Sequence, residues 1–302
     1  MKTKIIAAVF VMMYSLNACA NSVKVKVHVH DDNGKPVADA KIKGAFNDRS
    51  GNTSFLPSMK DSTDGDGNAV ISGESYLDIP IWVNKEGYYE SKVEVDGTRS
   101  GTRTAGILLR PKLNPIAMYA KKVVLNASVK QGRKNGEKFG FDLMSGDFVA
   151  PHGNGSVSDL LITHTYQKKD TWNYSFNILI EFSNPGDGLI PFFFDESFKN
   201  SKLRSVYSAP SESYLDRWSL NKARSDSVIT GNIDKSRNYY FRVRTIINEQ
   251  GEVESAHYGK IYGEFPSITY YLNPTPNDRN LEFDPKQNLL KNLKHSERVR
   301  QP

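Results

Sequence analysis

Apolar residues in this chain recur at every second position rather than every third or fourth, and that spacing constrains the fold before any other feature does. From Trp172 to Phe182, the residues Trp172, Tyr174, Phe176, Ile178, Ile180 and Phe182 share one parity against Asn173, Ser175, Asn177 and Glu181. Valines alternate with Lys24, Lys26 and His28 between Val23 and Val29, and Tyr239, Phe241, Val243, Thr245 and Ile247 alternate with Tyr240, Arg242 and Arg244. Successive side chains of a strand point to opposite faces, so each stretch is a strand with one face to bury. Burying the six large groups of Trp172–Phe182 is worth roughly 10 kcal/mol as an upper bound, which marks that strand as core. The expected fold class is all-β.

With 302 residues, 38% hydrophobic and 25% charged, the chain is long enough for two cores. The formal charge is +6, and the basic residues are scattered except near the end, where Lys286, Lys291, Lys294, Arg298 and Arg300 are answered mainly by Glu297. Such a tail can touch phosphates or anionic lipid, although a solvated terminus is the plainer reading.

Cys19 is the only cysteine. Ahead of it stand Lys2 and Lys4 and an apolar run from Ile5 to Tyr14, the order of a secretory signal peptide and too short to span a bilayer. Leu16-Asn17-Ala18-Cys19 resembles the lipobox of bacterial lipoprotein signal peptides, apart from Asn17, and the resemblance implies that residues 1–18 are removed and Cys19 is lipidated. Ala18-Cys19-Ala20 also reads as an A-x-A cleavage site, which would discard the cysteine and leave a soluble secreted protein. Both readings export the chain, argue against a nucleic-acid partner, and leave no thiol for a disulfide, so stability must come from burial.

Asp31-Asp32-Asn33-Gly34-Lys35-Pro36 is a turn between strands at Val23–Val29 and Val37–Lys43. His28 and His30 share a strand face, but two lysines beside them oppose a cation, and a solvent-facing role is preferred. Asp64, Asp66 and Asn68 imitate the start of a calcium loop, yet Ala69 stands where glycine is needed and Ser75 where the bidentate glutamate belongs, so a hairpin turn is expected and no metal site. Further strands are expected at Ile79–Val83 and Tyr89–Val95. The series Asp32-Asn33-Gly34-Lys35-Pro36-Val37 before Ala40, Thr63-Asp64 through Gly67, Gly87-Tyr88, and Ile107–Arg110 before Pro111 resembles the carboxypeptidase regulatory-like module, with residues 44–62 as an insertion. The resemblance implies a transthyretin-like β-sandwich over 19–110 without catalytic residues: a spacer, folding partner or binding surface.

Pro111 and Pro115 bound a linker. A second sandwich is expected over 116–265, giving two tandem Ig-like or transthyretin-like domains. Trp172–Phe182 is expected to form a hairpin with Leu189–Phe194 around Asn184–Gly188, and Tyr239–Ile247 a second hairpin with Val253–Tyr262. The second pair vaguely resembles late strands of fibronectin type III and other Ig-like sandwiches. Arg242 and Arg244 fall on one face and are candidates to clamp a carboxylate or sulfated sugar, against pairing with Glu252 or Glu254 across the hairpin. Residues 197–235 lose clear periodicity while keeping Tyr207, Tyr214 and Trp218, which either form a platform for sugar rings or peptide side chains or pin the loop to its own sandwich. Three prolines within Tyr270–Pro285 predict an extended surface tail over 266–302, ending in a short helix from Leu289 to Val299. This ending is similar to that of a group of uncharacterised bacterial envelope proteins.

No metalloprotease, nucleophile-elbow, phosphate-loop or dinucleotide motif is present, and no cofactor is implied. His152 lies in a glycine-rich loop with Asp147 and Asp159 nearby, a possible active-site loop but more simply a surface one. The sequence therefore predicts a lipid-anchored envelope protein with a non-catalytic binding or structural role toward a glycan, a peptide or an envelope protein. The alternatives are a secreted enzyme acting on polysaccharide or peptidoglycan through the C-terminal domain, and a structural spacer or anchored factor that blocks a receptor.

Overall fold

The computed structural model of the chain describes residues 20–47, 58–126 and 132–302, so the signal-like segment and Cys19 lie outside the described residues. The described chain is all-β, and its helix is confined to 3-10 turns at Pro285–Gln287 and His295–Glu297. No described helix is long and apolar enough to cross a membrane. The chain falls into two compact units that interleave in sequence: the first holds residues up to His30, Gly34–Val83 and Lys92–Ile107, and the second holds Asp31–Asn33, Asn84–Ser91 and Leu108–Pro302.

The first unit sets a three-stranded sheet, β4-β1-β7, and a four-stranded sheet, β3-β2-β5-β6. Here β1 is Asn21–His30, β2 Lys41–Ala45, β3 Ser58–Ser62, β4 Asn68–Ser75, β5 Ile79–Asn84, β6 Ser91–Val95 and β7 Gly101–Leu108. Val23, Val25, Val27 and Val29 are buried while Lys24, Lys26 and His28 face out, as the alternation requires. The two sheets meet closely: a Cβ on Gly44 of β2 would sit 2.5 Å from Ile71 of β4, and one on Gly73 would sit 2.6 Å from the Phe46 ring. Residues 44–62 depart from a plain loop insertion, because their far arm returns as the edge strand β3 paired with β2. Asp64 closes the tight turn before β4 by accepting from the amides of Asp66 and Asn68 at 3.0 and 2.8 Å, with Gly67 at φ 76; because β3 and β4 lie in different sheets, this turn carries the chain between the sheets and is not the expected hairpin.

The second unit sets a six-stranded sheet, β10-β9-β11-β12-β14-β15, against a five-stranded one, β13-β16-β17-β18-β8. These strands are β8 Tyr119–Val124, β9 Lys138–Asp142, β10 Asp147–Phe148, β11 Leu160–Lys168, β12 Tyr174–Glu181, β13 Gly188–Phe193, β14 Arg217–Ser225, β15 Val228–Gly231, β16 Arg237–Ile247, β17 Val253–Tyr262 and β18 Ser267–Leu272. Phe139, Phe141, Ile162, Ile178, Ile180 and Leu220 from one sheet pack with Tyr239, Phe241, Val243, Ile261 and Tyr270 from the other.

Four sequence expectations are corrected here. The turn at Asn184–Gly188 does not make a hairpin: both edges of β12 are taken by β11 and β14, and the chain crosses to the other sheet, where β13 pairs with β16. The stretch 197–235 contains β14 and β15; the alternation is blurred because Lys222 and Arg224 follow Trp218 and Leu220 on one face of β14, and because β15 is exposed throughout, its valine and isoleucine included. The tail is not a surface strap, and the expected Leu289–Val299 helix is reduced to the 3-10 turn His295–Glu297. Ser267–Leu272 is an interior strand between β17 and β8, because the prolines begin only after its last residue. Beyond it Leu281 and Phe283 are fully buried against the outer face of the same sheet. Residues 288–289 spend their hydrogen bonds on the edge of β8, with the Asn288 amide on both backbone groups of Ala120 and Leu289 N–H on Met118 O, and Asn292 at φ 59 leaves the helical region. The β16–β17 hairpin forms as expected around Asn248–Gly251.

Candidate functional site

Strands β11, β12 and β14 are in antiparallel register, so one face of the sheet can be read row by row. Ile162, Ile180 and Trp218 make one row, followed by His164, Ile178 and Leu220, then Tyr166, Phe176 and Lys222, then Lys168, Tyr174 and Arg224. Burial falls along this series. Ile162, Ile178, Ile180 and Leu220 are fully buried, Phe176 and Tyr174 are half-buried, Tyr166 is 41% exposed and Trp172, beyond the last row, is 57% exposed. Trp172 is therefore not core, contrary to the alternation: the parity is kept, but cover runs out before the strand does. The result is an aromatic face of Tyr166, Phe176, Tyr174 and Trp172, bordered by Lys168, Lys222 and Arg224.

The tip that carries Trp172 is built. The Asp170 carboxylate accepts from Trp172 N–H at 2.7 Å and Asn173 N–H at 2.8 Å, and the Asn173 amide reaches Asp226 across the β14–β15 turn. These hydrogen bonds, that from Trp172 N–H first, hold the Asp170 carboxyl below its usual range. Arg224 donates through Nε to Asp226 O at 3.0 Å and lies 4.1 Å from the Trp172 ring centre. Stacking and hydrogen bond together orient both planes. An exposed, pre-set aromatic face beside cations suits a flat partner with an apolar face and hydroxyl or acidic substituents, at small entropy cost.

A cavity of about 710 Å³ runs beside β8, β18, β9 and β10. Apart from Lys122, its charges are answered from within the unit. Lys121 meets Glu297 at 3.3 Å and Gly146 O at 2.8 Å, and Arg133 stacks 3.9 Å over Phe148 while donating to Asn126 O. His152 meets Glu137 at 3.0 Å, and Asp147 accepts from the Phe148 and Asn154 amides. His152 is thus not brought to Asp147 or Asp159, and the cavity offers less spare chemistry than the aromatic face.

Tyr207, Tyr214 and Trp218 are built into three separate contacts. Tyr207 donates to Asp32 or Pro111 O, each at 2.8 Å, under the Arg110 guanidinium 4.3 Å away, and burial raises its hydroxyl well above the usual range. Tyr214 donates to Pro210 O and packs beside Tyr258, and Trp218 lies edge-on to Tyr239 in the sandwich core. Arg242 and Arg244 do not share a face. A register shift follows Val243 and Arg244 adopts φ 55, so the alternation breaks between them. Arg242 bonds Gly186 O at 2.6 Å and lies 4.7 Å from the Tyr214 ring, and its neighbour across the hairpin is Tyr258 rather than Glu252 or Glu254.

Arg244 grips two carboxylates of its own chain, Asp142 at 2.9 Å and Asp159 at 2.8 Å. Burial raises the Asp159 carboxyl despite Arg244. Burial acts the same way on Asp142, but the amides of Ser145, Ser156 and Val157 and the Arg244 charge outweigh it and hold that group low. This carboxylate pair is closed off inside the unit by its arginine, unlike a glycosidase pair open to a sugar.

No family model matches the chain, and no curated protein matches it. Among solved structures the chain is similar to 3-chlorocatechol 1,2-dioxygenase from Rhodococcus opacus 1CP, with 13% identity and a TM-score of 0.26 over 32% of this chain and 62% of that one. It is similar also to a protein of Bacteroides uniformis provisionally assigned to carbohydrate binding, with 9% identity and a TM-score of 0.23 over 85% and 99% of the two chains. A third likeness is to the major pilin subunit of Bacillus cereus, with 12% identity and a TM-score of 0.23 over 84% and 96%. The chain spans about six tenths of the length of the dioxygenase it matches. Likenesses at this level carry no function.

Proposed function

We propose that this is an exported cell-envelope protein, anchored by lipid at Cys19, with a non-catalytic binding role, and that its ligand is a glycan taken on the face formed by Tyr166, Phe176, Tyr174 and Trp172. The observation that carries this reading is the 57% exposure of Trp172 on a hydrogen-bonded tip with Arg224 stacked on it. A large aromatic left outside the core, yet held in one orientation, is the composition of a binding hot spot. Lys168, Lys222 and Arg224 favour glycans with acidic substituents. The first unit, of carboxypeptidase regulatory-like type, serves as the module next to the anchor.

The test is retention of the chain on a panel of immobilised neutral and acidic polysaccharides. Trp172→Ala and Tyr166→Ala should each weaken retention about tenfold or more, a hot-spot-sized loss, with an unchanged melting temperature. Wild-type retention that survives both substitutions would overturn the assignment. Anchoring is tested apart, by whether Cys19→Ser releases the protein from membranes.

A further inference from the structure

The outer face of the four-stranded sheet in the first unit carries a second aromatic set among cations. Lys41 and Lys43 alternate outward on β2, Lys60 of β3 lies directly opposite Lys43, and all three are exposed. On the same face Trp82 of β5 is half-exposed, with the Lys43 ammonium 5.7 Å from its ring centre on one side and the Lys92 ammonium of β6 5.6 Å on the other. Glu94 of β6 is paired to Lys92 at 2.7 Å. Among the described residues, Lys41, Lys43 and Lys60 have no acidic partner within ion-pair distance.

We infer that this face rests on anionic lipid headgroups. An indole amid lysines on an exposed sheet face suits the bilayer interface, where the ring sits among headgroups and each ammonium meets a phosphate. The inference rests on the lipid-anchored reading of Cys19. Strand β1 begins at Asn21, two residues after that cysteine, so an acylated Cys19 tethers this unit within roughly 7 Å of extended chain. A tether that short keeps the unit's local concentration at the bilayer high, and weak headgroup contacts then suffice to orient it.

The experiment uses the full chain carrying Cys19→Ser, so that no acyl group contributes, in cosedimentation with phosphatidylcholine vesicles with and without about a third phosphatidylglycerol. Binding is expected only to the anionic vesicles and should fade with salt as screening shortens from about 10 Å at 0.1 M. Lys43→Gln with Lys60→Gln should weaken it about 25-fold, at about fivefold per lysine. Lys24→Gln with Lys26→Gln, the same charge change on the other sheet of the unit, should leave it unchanged. Trp82→Ala should weaken binding with melting unaltered. The inference is overturned if neither vesicle is bound, if the two double variants lose affinity equally, or if the chain binds dextran sulfate but not the vesicles. The anchor reading fails separately, if wild-type protein is as easily washed from membranes as Cys19→Ser.

Discussion

Arg244 illustrates how one residue's backbone setting can redirect a charge. At φ 55 its side chain leaves the face that Arg242 occupies and reaches Asp142 and Asp159, 102 and 85 residues away in sequence. Removing it strands two carboxylates whose side chains are almost wholly buried, so Arg244→Ala should cost about 3–5 kcal/mol, read from denaturant midpoints. The acid limb provides a second measurement. Asp142 is held below its ordinary value in the folded chain, so its contribution is present above the unfolded carboxyl value of about 3.9 and is lost as pH falls through the lower folded value. Asp159 is raised and acts in the opposite sense, losing part of its favourable balance as pH rises through its folded value. Arg244→Ala removes the charge that favours ionisation of both, and should shift acid unfolding of this unit to higher pH. An unchanged acid midpoint would show that the backbone amides alone hold Asp142. At the same scale, Trp172 and Ile178 share a parity but not a role: Ile178→Ala should cost about 2–5 kcal/mol, whereas Trp172→Ala should leave stability alone and weaken binding.

Strands show what period-two alternation states and what it omits. It states faces, and β1 buries the side the sequence assigns, as does β16 from Tyr239 to Val243, although there Tyr240 of the other side is buried as well. It is silent on partners, which is why β13, adjacent in sequence to β12, is found in the other sheet. It is silent on where the opposing sheet stops, so Trp172 reads as core in sequence and is exposed in the fold, and the aromatic face was illegible for that reason. A signal was available in Asp170 and Asn173, an Asx-type tip directly flanking a tryptophan. Tyr207 and Tyr214 stand in irregular chain, which in a layered fold still has an inner side, and Trp218 is the inward residue of the row it shares with Ile180 at the start of β14. Gly259 tests the element scale. On β17 an added Cβ would sit 2.2 Å from the Phe241 ring and 2.3 Å from Tyr271 O, the latter being backbone of the neighbouring strand. Gly259→Ala should therefore force β17 and β18 apart and cost about 1–3 kcal/mol or more, with the β17 and β18 amides losing hydrogen-exchange protection first.

In the second unit, residues 273–302 and the irregular chain before β14 turn a two-sheet sandwich into three layers over β16 and β17. The third layer has a cost that a plain sandwich would escape: Lys260, which would face solvent on an uncovered sheet, is completely buried between Tyr262 and Tyr271, each ring centre 5.0 Å from its ammonium. Its hydrogen bond is to Ser205 Oγ at 3.1 Å, and burial, reinforced by Arg110, drives its pKa well below the ordinary lysine value. The unfolded chain keeps that lysine protonated up to about pH 10.4, so below this value the unfolded state binds more protons and folding gains stability as pH rises. Lys260→Met keeps the volume and removes the ionisable group. The variant should be more stable than the wild type at pH 7, and the difference should narrow as pH is raised toward 10, measured as paired denaturant midpoints. If Lys260→Met is instead less stable at every pH, the ammonium is held charged by its two tyrosine rings and Ser205, and the third layer gains from the lysine it covers.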